Sequence, residues 1–437
     1  MNKRRIALLI LSLALVIACL LSTASCMYAI DILTGEEQTG EQSNNSSTEN
    51  GKNPTTPSNG TGTGSQDPNE ENKKPVFHPD AETDGESNVR PEIKPFLSTV
   101  AIVTKFDILS AYPYYDDTTE YTSFSSGVIY ELDKEKGDAL VITNYHAVYN
   151  KGEVATGGFS DGISLYLYGM ENEQYAIPAT VIGGSMNYDI AVLRVSGSEV
   201  LKNSMATAAE LGSSEAVQLL DEVHVVGYPE GLGISVTEGS VSVVSESLVM
   251  TGADGRTTIS LRVIRTSAAV NEGNSGGGFY SADGKLIGIV CAKRTGAEVD
   301  NIGYAIPIDL AVKVANNILR NCDGGENLSV KKCTVGVGLG VAASGLVTDE
   351  DGNIIIVERV GIVSIEENCI TSELKVGDVI TAIEIDGVKT PVTRTYHVTD
   401  TMLDASAGST AVFTIDRGGE TVTVTVTLPE SCVTTVK

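Results

Sequence analysis

The sequence predicts a mainly β protein with two β-rich domains in tandem, the first closed by a helix. Three observations carry this expectation. Between about residues 96 and 307, short apolar runs of five or six residues, often β-branched, alternate with Gly, Asp, Asn and Ser. One segment after Pro307, Ile308 to Leu319, carries apolar residues at helical spacing, with Gly324-Gly325 beyond it. A second glycine-rich, partly alternating stretch starts near Lys332 and leads into further strand candidates.

Taken from the start, Lys3, Arg4 and Arg5 precede an almost unbroken apolar run from Ile6 to Leu21. Positive charge ahead of such a run reads as a signal peptide or a signal anchor. The retained anchor over residues 1–30 is the expectation, a transmembrane helix giving a single-pass protein of the cell membrane. Cleavage after Thr23-Ala24-Ser25, giving a secreted chain, and lipid attachment at Cys26 are the alternatives. All three place the remainder outside the cytoplasm. Residues 31–94 are rich in Glu, Asn, Ser, Thr, Gly and Pro, and lack aliphatic periodicity. Such a composition cannot bury a core, so this segment is expected to be a disordered acidic linker.

Order is expected from Pro95, giving a first domain over 95–322. Ser98–Val103 is the first strand. Ser126–Tyr130 and Ala139–Thr143 follow around a turn containing Lys136-Gly137-Asp138. Further strands are expected at Ser164–Tyr168, Ile177–Ile182, Ile190–Val195, Glu222–Val226, Ser240–Val244, Ser260–Arg265 and Lys285–Val290. The second domain is expected over 332–430. Its strands are Ile354–Val357, Val379–Ile385, Ala411–Ile415 and Thr421–Leu428, with Asp386-Gly387 as a hairpin signal.

The chain has 437 residues, an apolar fraction of 41% and a formal net charge of −27. That charge opposes nucleic-acid binding, because no basic field exists to neutralise phosphates. Outside the leader the cysteines are Cys291, Cys322, Cys333, Cys369 and Cys432, with no CxxC pair and no Cys/His cluster, so no metal site is expected. A Cys322–Cys333 disulfide and free thiols both fit the spacing.

The chemistry is carried by three segments. Asn271-Glu272-Gly273-Asn274-Ser275-Gly276-Gly277 sets a serine in a glycine turn, where backbone amides can face a developing oxyanion. Thr143-Asn144-Tyr145-His146-Ala147-Val148 puts a histidine just past a β-branched strand. Asn187-Tyr188-Asp189-Ile190-Ala191-Val192-Leu193 puts an aspartate just before one. Each residue alone is weak evidence. Together, His146, Asp189 and Ser275 stand in the chain order of a chymotrypsin-like catalytic triad.

With these segments quoted, the chain resembles the HtrA (DegP-like) family of trypsin-like serine proteases. The histidine, aspartate and serine motifs match, and so do Gly227-Tyr228-Pro229 and Asn301-Ile302-Gly303-Tyr304-Ala305-Ile306-Pro307. Two departures are Glu272 and Gly278, where the pattern commonly has proline. The likeness covers about Pro95 to Pro429. It implies a chymotrypsin/trypsin-like double β-barrel protease domain followed by a PDZ domain. It also implies that Ser275 attacks the scissile carbonyl, His146 moves the proton, Asp189 holds the imidazole, and the amides of Gly273 and Ser275 form the oxyanion hole. No metal or organic cofactor is required.

In this protease class the residue six before the nucleophile forms the base of the specificity pocket, which here is Ala269. The pocket wall is expected at Leu286–Val290, with Ile287, Gly288 and Ile289 at its centre. The expected P1 residue is therefore small or medium aliphatic. Glu373-Leu374-Lys375-Val376-Gly377-Asp378-Val379-Ile380 resembles the most specific segment of a PDZ domain, so C-terminal peptides are expected partners. Leu339, Gly340 and Val341 are the candidates for the carboxylate-binding loop and its following strand. The resemblance further implies a homotrimeric core and quality control of unfolded, misfolded or damaged extracytoplasmic proteins. A non-proteolytic chaperone or PDZ peptide-binding scaffold is the alternative, as is cleavage of one dedicated membrane substrate.

Overall fold

The computed structural model describes residues 89–109, 118–153, 156–293, 302–322 and 329–436. Six strands form a closed barrel: β1 (Thr99–Leu109), β2 (Thr118–Asp133), β3 (Asp138–Thr143), β4 (Gly162–Leu167), β5 (Ile177–Ser185) and β6 (Ile190–Val195), in the order β1-β2-β3-β6-β5-β4. Period-2 patterning closes it. In β4, Ile163, Leu165 and Leu167 point inward, while Ser164 and Tyr166 do not. In β6, Ile190 to Leu193 are all buried, which explains why that run shows no alternation in sequence.

The next six strands are β7 (Glu222–Gly227), β8 (Ser235–Thr251), β9 (Thr258–Thr266), β10 (Gly278–Ser281), β11 (Leu286–Lys293) and β12 (Gly303–Pro307). They pair in a ring-like sheet in which β10 also pairs with β7. Apolar residues of both sheets share one core cluster, among them Ala101, Ile142, Ile190, Val226, Leu261 and Ile289. At their junction the buried Tyr280 hydroxyl lies 3.1 Å from Ser98 Oγ and 3.0 Å from Thr99 Oγ1. This satisfies a phenol that burial holds un-ionised, its pKa raised to about 12.

The expected closing helix is present as Ile308–Arg320, with Pro307 at its N-cap. It buries Leu310, Ala311, Val314, Ala315 and Ile318. Beyond it come β13 (Val330–Cys333), β14 (Val337–Thr348), β15 (Ile354–Ile365), β16 (Val379–Ile385), β17 (Val388–Pro391), β18 (Thr410–Arg417), β19 (Glu420–Thr427) and β20 (Val433–Val436). β13 pairs with β20, and the others form a sheet in the order β14-β15-β16-β18-β19, with β17 on β16. The hairpin at Asp386-Gly387 is there, with φ of 49° and 90°, the paired left-handed residues of a tight β-turn. A helix the sequence did not announce, Thr395–Thr401, lies against the first region. Its Asp400 accepts from Arg262 on β9 at 2.7 Å, and the Arg262 guanidinium stacks 3.9 Å from the centre of the Tyr396 ring. Asn317 and Arg320 of the closing helix both donate to the Leu403 carbonyl.

The expectation of a transmembrane helix is corrected. Among the described residues no helix is long and apolar enough to cross a membrane, and the longest, Ile308–Arg320, has 13 residues. The apolar run behind that expectation, residues 1–30, and the expected linker up to residue 88 lie outside the described residues. With no such helix among the described residues, membrane attachment through the N-terminal segment and a single-pass location are not carried further. Cys291, Cys333, Cys369 and Cys432 are free thiols, so the Cys322–Cys333 bridge is not formed.

Candidate active site

His146 lies in a single helical turn, Tyr145–Val148, entered directly from β3. Asn144 occupies the N-cap but does not cap with its side chain. Its amide instead donates to the Asp189 carbonyl at 2.9 Å. The amide left open at the second position of that turn, His146 N–H, is taken by Asp189 Oδ1 at 3.1 Å. The same carboxylate lies 3.0 and 2.9 Å, through Oδ1 and Oδ2, from His146 Nδ1. A carboxylate only accepts, so this geometry calls for the Nδ1–H tautomer and leaves Nε2 as the acceptor of the ring.

Asp189 itself has a φ of 50°, unusual for a residue with a side chain. The Asn144 bond to its carbonyl is one of the contacts that hold it there. Asp189 is buried, whereas about a third of the His146 side chain, 35%, stays exposed. Burial pushes the His146 imidazole down. The charge of Asp189 and its hydrogen bond together outweigh that, and the net shift is upward from the ordinary histidine value.

The serine turn is packed against the same place. Ser126 N–H on β2 donates to Ser275 O at 2.8 Å. A Cβ built at Gly276 would stand 2.1 Å from Ser126 O, 2.3 Å from Thr143 Oγ1 and 3.2 Å from Asn144 N. The residue after Ser275 thus abuts the segment two residues before His146. Among the described residues no hydrogen bond joins Ser275 Oγ to the His146 ring. Such bonds are often long without substrate and tighten when it binds. The N–H groups of Gly273 and Ser275 donate to no acceptor among the described residues, whereas those of Asn274, Gly276 and Gly277 all do.

A serine protease Do-like HtrA of Lactococcus lactis subsp. cremoris is 30% identical to this chain over 329 residues, covering 72% of this chain and 73% of that protein. The chain belongs to the HtrA family of serine proteases. The corresponding protein of Lactococcus lactis subsp. lactis gives the same picture, 30% over 328 residues, with 72% of each chain covered. The Bacillus subtilis Do-like HtrA is 35% identical over 205 residues, 46% of this chain and 41% of its own length. The trypsin-like peptidase domain family matches residues 125–289, and the PDZ domain family matches residues 337–428. As an HtrA-family protein, the chain is a serine endopeptidase.

The remaining sequence-derived site residues of this HtrA-family chain are placed as follows. Ala269 is half-buried just after β9, and its carbonyl accepts from Thr237 Oγ1 at 2.7 Å. Ile287 and Ile289 are buried in two different core clusters, and Ile287 also borders a cavity of about 740 Å³ with Leu211, Ala216 and Val217. Their side chains pack into the core, and Gly288 between them faces Ile306 O and Phe279. Leu339, Gly340 and Val341 are strand residues of β14, paired to Ile362, Gly361 and Val360. The turn into that strand lies upstream, at Gly336, with a φ of 76°.

Of the two residues departing from the usual pattern, Gly278 acquires a reason here. Gly278 has no room for a side chain, because a Cβ there would sit 2.0 Å from the Tyr280 ring. Glu272 is exposed, and its carbonyl accepts from Glu230 N–H at 2.9 Å. Residues of this candidate site that sequence reasoning missed are Ser126, Asn144 in its bond to Asp189, and Glu230. The only signal for Asn144 was its place inside the histidine motif.

Proposed function

We propose that this HtrA-family endopeptidase works through His146, Asp189 and Ser275, with the amides of Gly273 and Ser275 as its oxyanion hole. The observation that supports this best is the double hold of the Asp189 carboxylate on His146, main chain and ring, beside a serine turn with two uncommitted amides. In this reading Ser275 Oγ attacks the scissile carbonyl and His146 Nε2 accepts its proton. Asp189 stabilises the imidazolium, and His146 then protonates the leaving amine. The two amides stabilise the negative oxygen as it develops.

The fold is read as a chymotrypsin-like double barrel over 95–322 with a PDZ domain over 332–430. Ala269 at the pocket base offers no charge, so a basic or acidic P1 side chain would lose its hydration without a partner. The preferred P1 residue is therefore small or medium aliphatic, with Ile287–Ile289 as apolar backing. The substrates are taken to be misfolded or damaged extracytoplasmic proteins. Casein digestion with wild-type protein and with Ser275→Ala tests the reading. Cleavage sites dominated by Val, Ala, Ile or Leu at P1, all lost in the variant, support it. Sites dominated by Arg or Lys refute the pocket.

A further inference from the structure

An oxyanion hole works only if its amides point the same way before the substrate arrives, so the peptide planes of the serine turn are the parts that need holding. Four consecutive planes run through that turn, and each carbonyl has one named donor. Glu272 O accepts from Glu230 N–H at 2.9 Å. Gly273 O accepts from Ser126 Oγ at 2.7 Å. Asn274 O accepts from Gly277 N–H at 2.9 Å, and Ser275 O accepts from Ser126 N–H at 2.8 Å. A trans peptide is rigid, so fixing its carbonyl also fixes the N–H on the opposite side. The Glu230 bond therefore aims Gly273 N–H, and the Gly277 bond aims Ser275 N–H.

Ser126 is tied to three of the four planes. Its hydroxyl and its amide hold two directly. The same hydroxyl accepts from Tyr228 N–H at 2.8 Å, and Tyr228 begins the short turn that presents Glu230 N–H. That turn is under tension, for Glu230 has a φ of 53°, in the left-handed region where a residue with a Cβ is disfavoured. It is also pressed onto the serine turn. A Cβ at Gly273 would stand 2.2 Å from Tyr228 O and 2.8 Å from Glu230 N. Ser126 is fully buried, and its own carbonyl accepts from Thr143 Oγ1 at 2.7 Å, three residues before His146.

We propose that Ser126 is a positioning residue for the hydrolysis, its hydroxyl joining the Tyr228–Glu230 turn to the serine turn so that Gly273 N–H and Ser275 N–H face the oxyanion together. The inference rests on the oxyanion-hole reading above. Without that hydroxyl, Gly273 O and Tyr228 N–H both lose their partner. The strained turn is then free to relax, and the Glu272–Gly273 plane can rotate its carbonyl into the place of its N–H. Ground-state contacts to the substrate's side chains are untouched, so the loss falls on the transition state.

The test compares Ser126→Ala, Ser126→Thr and Ser275→Ala, with the wild type, on a fluorogenic peptide that the wild type cleaves. Thermal unfolding is followed in parallel. The proposal expects Ser126→Ala to lower kcat by about 10- to 100-fold with KM within about 2-fold, the pattern of a lost transition-state interaction. A peptide boronate, whose anionic tetrahedral adduct places a boron-bound oxygen in the hole, should weaken by a similar factor. Ser126→Thr, which keeps the hydroxyl, should recover most of kcat. A folded Ser126→Ala with kcat within about 3-fold of wild type, or with its loss confined to KM, overturns the proposal. If Ser126→Ala does not fold, Ser126→Cys, a near-isostere with a weaker donor, is read by the same criteria. Full activity in Ser126→Ala beside an inactive Ser275→Ala removes the clamp and leaves the nucleophile standing. Activity in Ser275→Ala removes the reading beneath it.

Discussion

The serine turn and the edge strand β14 are both glycine-rich, and they use glycine for opposite ends. At Gly276 and Gly277 a Cβ would meet backbone oxygens at 2.1 and 2.4 Å, so each glycine there marks a close approach of main chains. Along β14 a Cβ at Gly345 would meet nothing within 4 Å, and one at Gly340 would meet only the Val363 side chain closely. Around the serine, Ser126, Thr143, Asn144 and Asp189 are all buried and each makes a hydrogen bond, although Asn144 Oδ1 has no partner among the described residues. On β14 and β15 apolar groups are left open, including Leu346 at 70% and Ile354 at 61% exposure. Among the described residues β14 also has only one strand neighbour, β15. On the proposed reading, the region that stabilises charge at one point is built closed and closely packed, whereas the PDZ-matched region keeps an edge unpaired.

Substitutions that treat the two regions alike should give unlike results. The largest effect is expected from Asp189→Asn. This change keeps the shape but removes the charge and the tautomer control on His146, and should lower kcat by about four orders of magnitude, as in the corresponding protease substitution. A loss below tenfold would break the picture of a preorganised pair. Gly276→Ala comes next. Its Cβ must displace Ser126 O and Thr143 Oγ1 at a φ of 83°, and it should cost about 2–4 kcal/mol in chemical denaturation as well as most activity.

A pH titration sharpens the closed side. His146 must be neutral to accept a proton, so kcat/KM should fall as pH drops through its pKa, which lies above the ordinary value of 6.5. Asp189→Asn removes the two influences that raise it and leaves burial, which lowers it. The inflection of that variant's residual activity should therefore move to lower pH. The smallest effect is expected from Gly345→Ala on β14, within about 0.5 kcal/mol of wild type, since the added methyl meets nothing. A loss comparable to that of Gly276→Ala would erase the contrast.

Sequence patterns reached the parts of the molecule that are locally encoded. The three motifs proposed to carry the chemistry are each contiguous, and the helix after Pro307 follows its 3.6-residue period to within a residue of its end. The Asp386-Gly387 turn is a two-residue signal. What escaped depends on distant contacts. Ser126 is an ordinary serine in a strand until the turns of Tyr228 and Gly273 close on it. Within Gly336-Val337-Gly338-Leu339-Gly340, alternation alone does not say which glycine turns. Gly336 does, because a Cβ there would stand 2.6 Å from the Cα of Cys369, 33 positions on. The helix Thr395–Thr401, with three Thr among its seven residues, has low intrinsic helix preference and is held by docking on Arg262. The pocket wall expected at Ile287–Ile289 is hard to read from sequence, because apolar residues in a strand also serve as core, and Ile287 and Ile289 are both buried.

The central claim is that Ser275 is the nucleophile, activated by His146 and Asp189. Its most direct measurement is labelling of the folded protein with a fluorophosphonate, followed by intact-mass and peptide mass spectrometry. The account predicts one adduct, on the peptide containing Ser275, absent from Ser275→Ala and greatly slowed in Asp189→Asn. An adduct at another serine, or casein cleavage undiminished in Ser275→Ala, would contradict it.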